Sequence, residues 1–139
     1  MTAWLLDAGP LVAFFDRSDA GHEWAKEQWA QAPVPMLTCE AVLAEAAYLL
    51  REHARLPSEK LLALFERKII RVPFALEEHA GPVAHLLEKY RDQEMQLADA
   101  CLVRMSELNR DCRVFTLDRT EFQVYRRFER QVIPLVAPD

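Results

Sequence analysis

Four acidic residues stand in apolar stretches of the sequence, where an uncharged side chain would be the ordinary choice: Asp7, Glu45, Asp99 and Asp118. Asp7 follows Trp-Leu-Leu, Asp99 lies within Leu-Ala-Asp-Ala, and Asp118 follows Val-Phe-Thr-Leu. Glu45 is the only charged residue between positions 41 and 50. An ionised carboxylate is costly in apolar surroundings unless it is paired or bound to a metal ion. Because none of these stretches contains a basic residue, the sequence favours a cation from solution as the shared partner.

The chemistry that four carboxylates support is that of a hard divalent cation. Mg²⁺ takes oxygen ligands and keeps several of its waters, so a few carboxylates suffice to hold it. A ligand set without His or Cys favours Mg²⁺, or Mn²⁺, over Zn²⁺. Such a site suits phosphodiester hydrolysis, in which the metal activates a water and neutralises charge on the phosphate. A purely structural role, as a helix cap or turn residue, stays open for Asp99 and Asp118.

Alternating strands and helices must bring these acids together. Short apolar runs typical of buried strands occur at residues 3–6, 36–38, 69–72, 114–117 and 132–136. Patterns of helical period separate them, at residues 21–31, 40–55, 57–67, 75–91 and 97–109, with a short helix after Arg119. We interpret the apolar start, residues 1–15, as the first strand followed by a turn. This alternation predicts one three-layer α/β/α domain over residues 1–139, with a mostly parallel sheet.

The predicted elements direct the four acids to one edge of the sheet. Asp7 and Asp118 both follow strands, and Asp99 opens a helix whose N-terminus can lie at the same edge. Glu45 sits about one and a half turns into the helix after the second strand, so its side chain can reach back. In parallel sheets, functional sites collect beyond the carboxyl ends of the strands. The sequence therefore predicts a single site containing all four carboxylates.

The composition excludes several other classes of protein. A length of 139 residues with 51% hydrophobic side chains fits one domain with one core. Three glycines cannot build a glycine-rich phosphate loop, and three cysteines without a Cys-x-x-Cys pair suggest neither a disulfide framework nor a zinc site. No long uncharged apolar run is present, and no basic segment precedes the apolar start. We therefore expect no membrane span, no signal peptide and a cytoplasmic location.

The charge distribution gives a weaker indication of a substrate. A net charge of −5 argues against a protein that coats nucleic acid without specificity. Residues 104–130 nevertheless hold 7 arginines against 5 acids. Among them, Arg119 and Arg126 follow the fourth acid of the set, so we predict that they contact substrate phosphates. An ordinary solvated surface of mixed charge is the alternative.

At these residues the sequence resembles the PIN-domain family, and within it the VapC-type toxins of bacterial toxin–antitoxin pairs. Leu-Leu-Asp7-Ala-Gly-Pro-Leu-Val-Ala looks like the first motif of the family, and Thr38 with Val-Leu-Ala-Glu45 looks like the second. Leu-Ala-Asp99-Ala looks like the third, and Val-Phe-Thr-Leu-Asp118-Arg with Phe122 looks like the fourth. The four motifs occur in order and cover nearly the whole chain.

The resemblance implies a fold, an activity and partners. The fold is a PIN-like domain with a five-stranded parallel sheet, and the activity is Mg²⁺-dependent cleavage of RNA by an endoribonuclease. The resemblance makes Asp7, Glu45, Asp99 and Asp118 catalytic metal ligands, with Thr116 supporting the site. It also implies a homodimer that is inhibited by a cognate antitoxin protein. Gln96 departs from the pattern, because many relatives have an acid or Ser there.

Three other interpretations compete with this one. A two-component receiver domain has a similar size but normally needs paired acids after the first strand and a late lysine, whereas no lysine follows Lys89. A phosphatase with an aspartate nucleophile needs a second Asp two residues after the first, and that position is Gly9. A catalytically silent PIN-like module that binds RNA or protein is the serious alternative, and a ribonuclease assay with and without Mg²⁺ separates it from an enzyme.

Overall fold

A parallel five-stranded sheet forms the centre of the protein in the computed structural model, which describes residues 2–139. Its strands are β1 (Ala3–Leu6), β2 (Met36–Leu37), β3 (Ile70–Arg71), β4 (Cys112–Phe115) and β7 (Leu135–Val136). Their order is β3-β2-β1-β4-β7, and every neighbouring pair is parallel. Two further short strands, β5 (Arg126–Arg127) and β6 (Gln131–Val132), pair with each other in an antiparallel hairpin. The predicted five-stranded parallel sheet is confirmed.

Helices connect the strands and flank the sheet, as predicted. Between β1 and β2 lie α1 (Ala8–Phe15) and α2 (His22–Gln31), and between β2 and β3 lie α3 (Glu40–Ala54) and α4 (Glu59–Glu66). A short 3₁₀ turn (Leu76–His79) leads into α5 (Ala80–Lys89), and α6 (Leu97–Leu108) and α7 (Arg119–Val124) follow. The α1 helix packs against α2 and α3, and α6 packs against α5. The fully buried side chains of the core include Leu5, Leu6, Leu102 and Phe115.

The order of the strands reverses at the middle of the sheet. β1 has β2 on one side and β4 on the other, so the chain moves outward through β2 and β3 and then crosses back to β4. Connections that leave a central strand in opposite directions open a crevice at its carboxyl end. Leu6 and Phe115, the last residues of β1 and β4, pair with each other at that end. The residues that directly follow β1 and β4 therefore begin next to each other.

The first fifteen residues correct one expectation, because helix α1 replaces the predicted turn. The pair Gly9-Pro10 is typical of a turn, yet Pro10 lies in the first turn of α1. A proline is tolerated there because the first N–H groups of a helix have no partner within the helix. The helix therefore begins directly after Asp7, which serves as its N-cap.

Smaller corrections concern the second half of the chain. The run predicted as one strand at residues 132–136 is divided between β6 and β7, with Pro134 between them. Residues 75–91 form the 3₁₀ turn and α5 in place of one helix, and β4 lies two residues earlier than predicted. The β5–β6 hairpin was not predicted. No helix among residues 2–139 combines the length and apolar character that crossing a membrane requires.

Candidate metal centre

Asp7 is fixed by three contacts at the carboxyl end of β1. Its backbone N–H donates to the carbonyl of Phe115 at 2.9 Å, which continues the pairing of β1 with β4. Its Oδ1 accepts the N–H of Ala8 at 2.8 Å, as an N-cap does. Its Oδ2 accepts the hydroxyl of Thr116 at 2.7 Å. Asp7 is only 8% exposed, so these bonds compensate a carboxylate that has lost most of its water.

The fully buried hydroxyl of Thr116 links Asp7 to Asp118. It donates to Asp7 and accepts the backbone N–H of Asp118 at 2.9 Å. Asp118 in turn caps α7, because its Oδ1 accepts the N–H of Glu121 at 3.1 Å. Through this one hydroxyl group, Thr116 fixes the carboxylate of Asp7 relative to the backbone of Asp118.

The other two predicted acids come from helices. Asp99 lies in the first turn of α6 and is 9% exposed, and its Oδ2 accepts the hydroxyl of Tyr125 at 3.2 Å. Glu45 lies in the second turn of α3 and is exposed. The cost of burying a charge, which the sequence suggested for all four acids, therefore applies to Asp7 and Asp99 and not to Glu45.

One cavity of about 320 Å³ brings the four predicted acids together. Within residues 2–139, none of the side chains that line it is basic. Its acidic lining includes a fifth residue, Glu121, which the sequence analysis did not identify. The remaining lining residues are neutral: Ala8, Gly9, Leu49, Gln96 and Leu117. Glu121 sits in the mixed polar run Arg-Thr-Glu at the start of α7, so neither its neighbours nor its spacing distinguish it from a surface acid.

The electrostatics of the cavity reflect burial of the carboxyl groups first and crowding of like charges second. Burial, which the hydrogen bonds from Thr116 and Ala8 offset only in part, raises the pKa of Asp7 to about 6. Burial and the charge of Asp7 raise the pKa of Asp99 to about 6. Partial burial and the neighbouring Asp118 and Asp99 raise the pKa of Glu121 to about 7. Burial is the main cause for Asp7, Asp99 and Glu121, and neighbouring negative charges add to it. A bound cation relieves both effects.

The donor chemistry of the cavity fits a hard divalent cation, although the carboxylates are not arranged around a common point. Among residues 2–139, no group of three His, Cys, Asp or Glu side chains is disposed to hold a metal ion as it stands. Several of the carboxylate oxygens instead accept hydrogen bonds from the protein, as in Asp7, Asp99 and Asp118. These bonds fix the carboxylates of Asp7 and Asp99, so adjustment of the cavity to an ion falls mainly to the exposed side chain of Glu45.

The two arginines predicted to contact substrate do not line the cavity. Arg119 donates to the carbonyls of Ala137 and Pro138, at 2.7 and 2.9 Å, and so holds the chain after β7. The guanidinium of Arg126 donates to backbone carbonyls at the end of α7, those of Gln123, Val124 and Tyr125. Both side chains have a structural use that the sequence did not indicate, and their contact with substrate stays a prediction.

Leu117, which lines the cavity, is closely packed against two glycines, Gly9 and Gly21. A Cβ placed on Gly9 would lie 3.2 Å from the side chain of Leu117, and one placed on Gly21 would lie 3.1 Å from it. Such distances are shorter than ordinary contacts between carbon atoms, which lie at about 3.5–4.0 Å. The absence of side chains at both glycines therefore lets α1 and α2 approach the residue that precedes Asp118.

A doubly wound parallel sheet with a cluster of carboxylates beyond its central strands defines the class of this protein: an α/β domain with an acidic centre at its topological switch point. The chain belongs to the PIN-domain family, whose model matches residues 4–127. The family resemblance found in the sequence is thereby confirmed.

Two relatives show how far the likeness extends. The chain is 27% identical, over 126 residues, to ribonuclease VapC26 of Mycobacterium tuberculosis, a match that covers 88% of this chain and 91% of the relative. It also superposes on the crystal structure of VapC20 of Mycobacterium tuberculosis, described as a toxin that cleaves the sarcin-ricin loop, with a TM-score of 0.71. That match covers 81% of this chain and 87% of the other at 20% identity, so the likeness to VapC20 is one of fold.

Proposed function

We propose that this protein is a Mg²⁺-dependent endoribonuclease that acts in the cytoplasm as the toxin of a type II toxin–antitoxin pair. The observation that carries the proposal is the convergence of Asp7, Glu45, Asp99 and Asp118 on one cavity that no basic side chain lines among the described residues. Membership of the PIN-domain family and similarity to a protein named as a ribonuclease support the choice of RNA as substrate.

The four acids would hold the cation, Mg²⁺ or alternatively Mn²⁺. When bound, the cation supplies a polarised water and neutralises charge on the scissile phosphate. Asp7 is the best oriented of the ligands, because Ala8 and Thr116 each hold one of its oxygens. Thr116 therefore supports the site by fixing both Asp7 and the backbone of Asp118. Glu45, exposed at the rim of the cavity, is the ligand that can adjust to an incoming ion.

Carboxylate neutralisation tests the proposed activity. Asp7→Asn keeps the size of the side chain and an oxygen to cap α1, but removes the charge. Loss of a group that only hydrogen-bonds to a metal ligand costs about 10–100-fold, so loss of a direct ligand should lower Mg²⁺-dependent cleavage by more than about 100-fold. Asp16→Asn is the matched control, because Asp16 ends α1 outside the cavity. Cleavage of RNA that is unaffected by a chelator, or that folded Asp7→Asn retains in full, would refute the proposed metal centre. A wild type that does not cleave RNA in the presence of Mg²⁺ would favour a silent binding module.

We further propose that the protein forms a homodimer and that its cognate antitoxin binds it as a second partner. Large apolar side chains are exposed on α3 and α4, where Tyr48 is 58% and Leu62 is 55% exposed, with Phe65 beside them in sequence on α4. Exposed apolar surface of this kind marks contact with another protein chain. Closed dimers with twofold symmetry are the commonest assembly of small soluble proteins.

A further inference from the structure

The hydroxyl group of Tyr125 is a buried polar atom in an aromatic cluster that does not need it. The ring of Tyr125 is 1% exposed and contacts Phe122 and Tyr90 edge to face, with centroids 5.2 and 5.1 Å away. A phenylalanine would make the same ring contacts without the cost of burying a hydroxyl. A tyrosine at this position therefore needs a hydrogen-bond partner that offsets the cost of burying its hydroxyl group.

That partner is the carboxylate of Asp99. The hydroxyl of Tyr125 lies 3.2 Å from Asp99 Oδ2, and it must be the donor because a carboxylate oxygen can only accept. Asp99 belongs to α6 and Tyr125 ends α7, so the bond connects two elements 26 residues apart in the chain. It occupies one oxygen of the carboxylate, and Asp99 itself lines the cavity.

The backbone on either side of Tyr125 is held independently of this bond. The N–H of Arg126 donates to the hydroxyl of Tyr90 at 2.8 Å, and the N–H of Tyr125 itself continues the bonding of α7 to Glu121. The ring position is thus set by packing and by the backbone, which makes the hydroxyl a fixed donor. A fixed donor limits rotation of the carboxylate that accepts from it.

We infer that Tyr125 is a positioning residue that orients the carboxylate of Asp99 for the divalent cation. The inference rests on the proposed function. Its physical basis is general: a metal ligand held by a second hydrogen bond loses less conformational freedom on binding, and removal of such a bond typically weakens metal affinity about 10–100-fold. Tyr125 acts through Asp99 and has no contact with substrate in this scheme.

The test is Tyr125→Phe, which removes one oxygen atom and keeps the ring. Isothermal titration with Mn²⁺ should give a dissociation constant at least about 10-fold higher than that of the wild type. Tyr90→Phe is the matched control, because Tyr90 is a buried member of the same cluster whose hydroxyl bonds a backbone N–H and not an acid. Tyr90→Phe removes a bond that helps to hold the backbone beside Tyr125 but keeps the Tyr125 hydroxyl, so it should raise the dissociation constant for Mn²⁺ less than Tyr125→Phe does. An equal increase in both variants would overturn the inference.

A double-mutant cycle separates positioning from general destabilisation. In the Asp99→Ala background, Tyr125→Phe should no longer change Mn²⁺ affinity, because the side-chain oxygens that the hydroxyl of Tyr125 orients are gone. A folded Tyr125→Phe protein with wild-type Mn²⁺ affinity would overturn the inference. If Tyr125→Phe does not fold, Tyr125→Met supplies the same comparison, with an apolar side chain that fills the cluster and lacks the donor. A wild type that binds no Mn²⁺ would refute the proposed function itself, a result distinct from equal binding by wild type and variant.

Discussion

Removing the metal should destabilise the folded protein as the pH rises, and Asp7 sets the size of the effect. Its pKa is raised from 3.8 to about 6 in the folded state, mainly by burial. A carboxyl with a raised pKa binds protons more tightly in the folded state, so its contribution to stability is lost as the pH rises through that interval. Each pH unit between the two values corresponds to about 1.4 kcal/mol, which gives a loss of about 3 kcal/mol from this group alone.

A pair of denaturation series measures this loss. Urea unfolding of the wild type in the presence of a chelator, at pH values from 4 to 8, gives a free energy of unfolding to which every carboxyl group contributes. The same series for Asp7→Asn lacks the contribution of Asp7. The free energy of unfolding of apo Asp7→Asn relative to apo wild type should therefore rise by about 3 kcal/mol between pH 4 and pH 7. In thermal melts of a chain of this length, the same difference should appear as about 10 °C.

Magnesium should reverse the effect in the wild type. An ion that binds the folded but not the unfolded chain stabilises it by about 2.7 kcal/mol at a hundred times its dissociation constant. Asp16→Asn is the control, because hydrogen bonds from Ser18 lower the pKa of Asp16, the opposite direction. Parallel pH profiles for apo wild type and apo Asp7→Asn, together with a wild type whose melting temperature ignores Mg²⁺, would refute this account of the cavity.

Three further outcomes are expected. Glu121→Gln removes one of five carboxylates and should weaken Mn²⁺ binding several-fold by titration, whereas unchanged affinity would make Glu121 a bystander at the rim. Neutralising Arg119 and Arg126 together should lower RNA affinity and reduce the slope of log K against log salt by up to about 1.4, and an unchanged slope would assign them to structure alone. Light scattering should find a dimer at micromolar concentration, which Tyr48→Glu with Leu62→Glu should dissociate; a wild-type monomer would contradict this prediction.

The sequence was sufficient to predict the fold class and the convergence of four acids on one cavity, for a physical reason. A charge inside an apolar run is expensive, so Asp7 and Asp99 are conspicuous in the sequence for the same reason that they are buried in the structure. Alternating apolar runs and helical patterns define a parallel sheet, and the carboxyl ends of parallel strands lie at one edge. The position of these residues in the fold could therefore be predicted from local sequence patterns, without knowledge of contacts between distant segments.

The features that the sequence did not reveal depend on contacts between distant segments. Glu121 lies at the cavity because Asp118 caps α7 and accepts the N–H of Glu121, whereas in the sequence its polar neighbours make it look like a surface acid. In the sequence, Tyr125 cannot be distinguished from an ordinary core aromatic residue, because only the fold brings its hydroxyl to Asp99, 26 residues away. Helix α1 was missed because Gly9-Pro10 has the composition of a turn, and the N-cap at Asp7 outweighs that local preference.

The contact of Leu117 with two glycines restricts how this protein can diverge. Any side chain added at Gly9 or Gly21 must displace Leu117, whose own neighbour Asp118 belongs to the acidic cavity. The identity of the residue at position 117 therefore constrains which residues are tolerated at both glycines, most strictly at Gly9, where the Cβ and Cγ of Leu117 are both near. Alanine at position 9 should accumulate in relatives whose residue at position 117 is smaller than leucine.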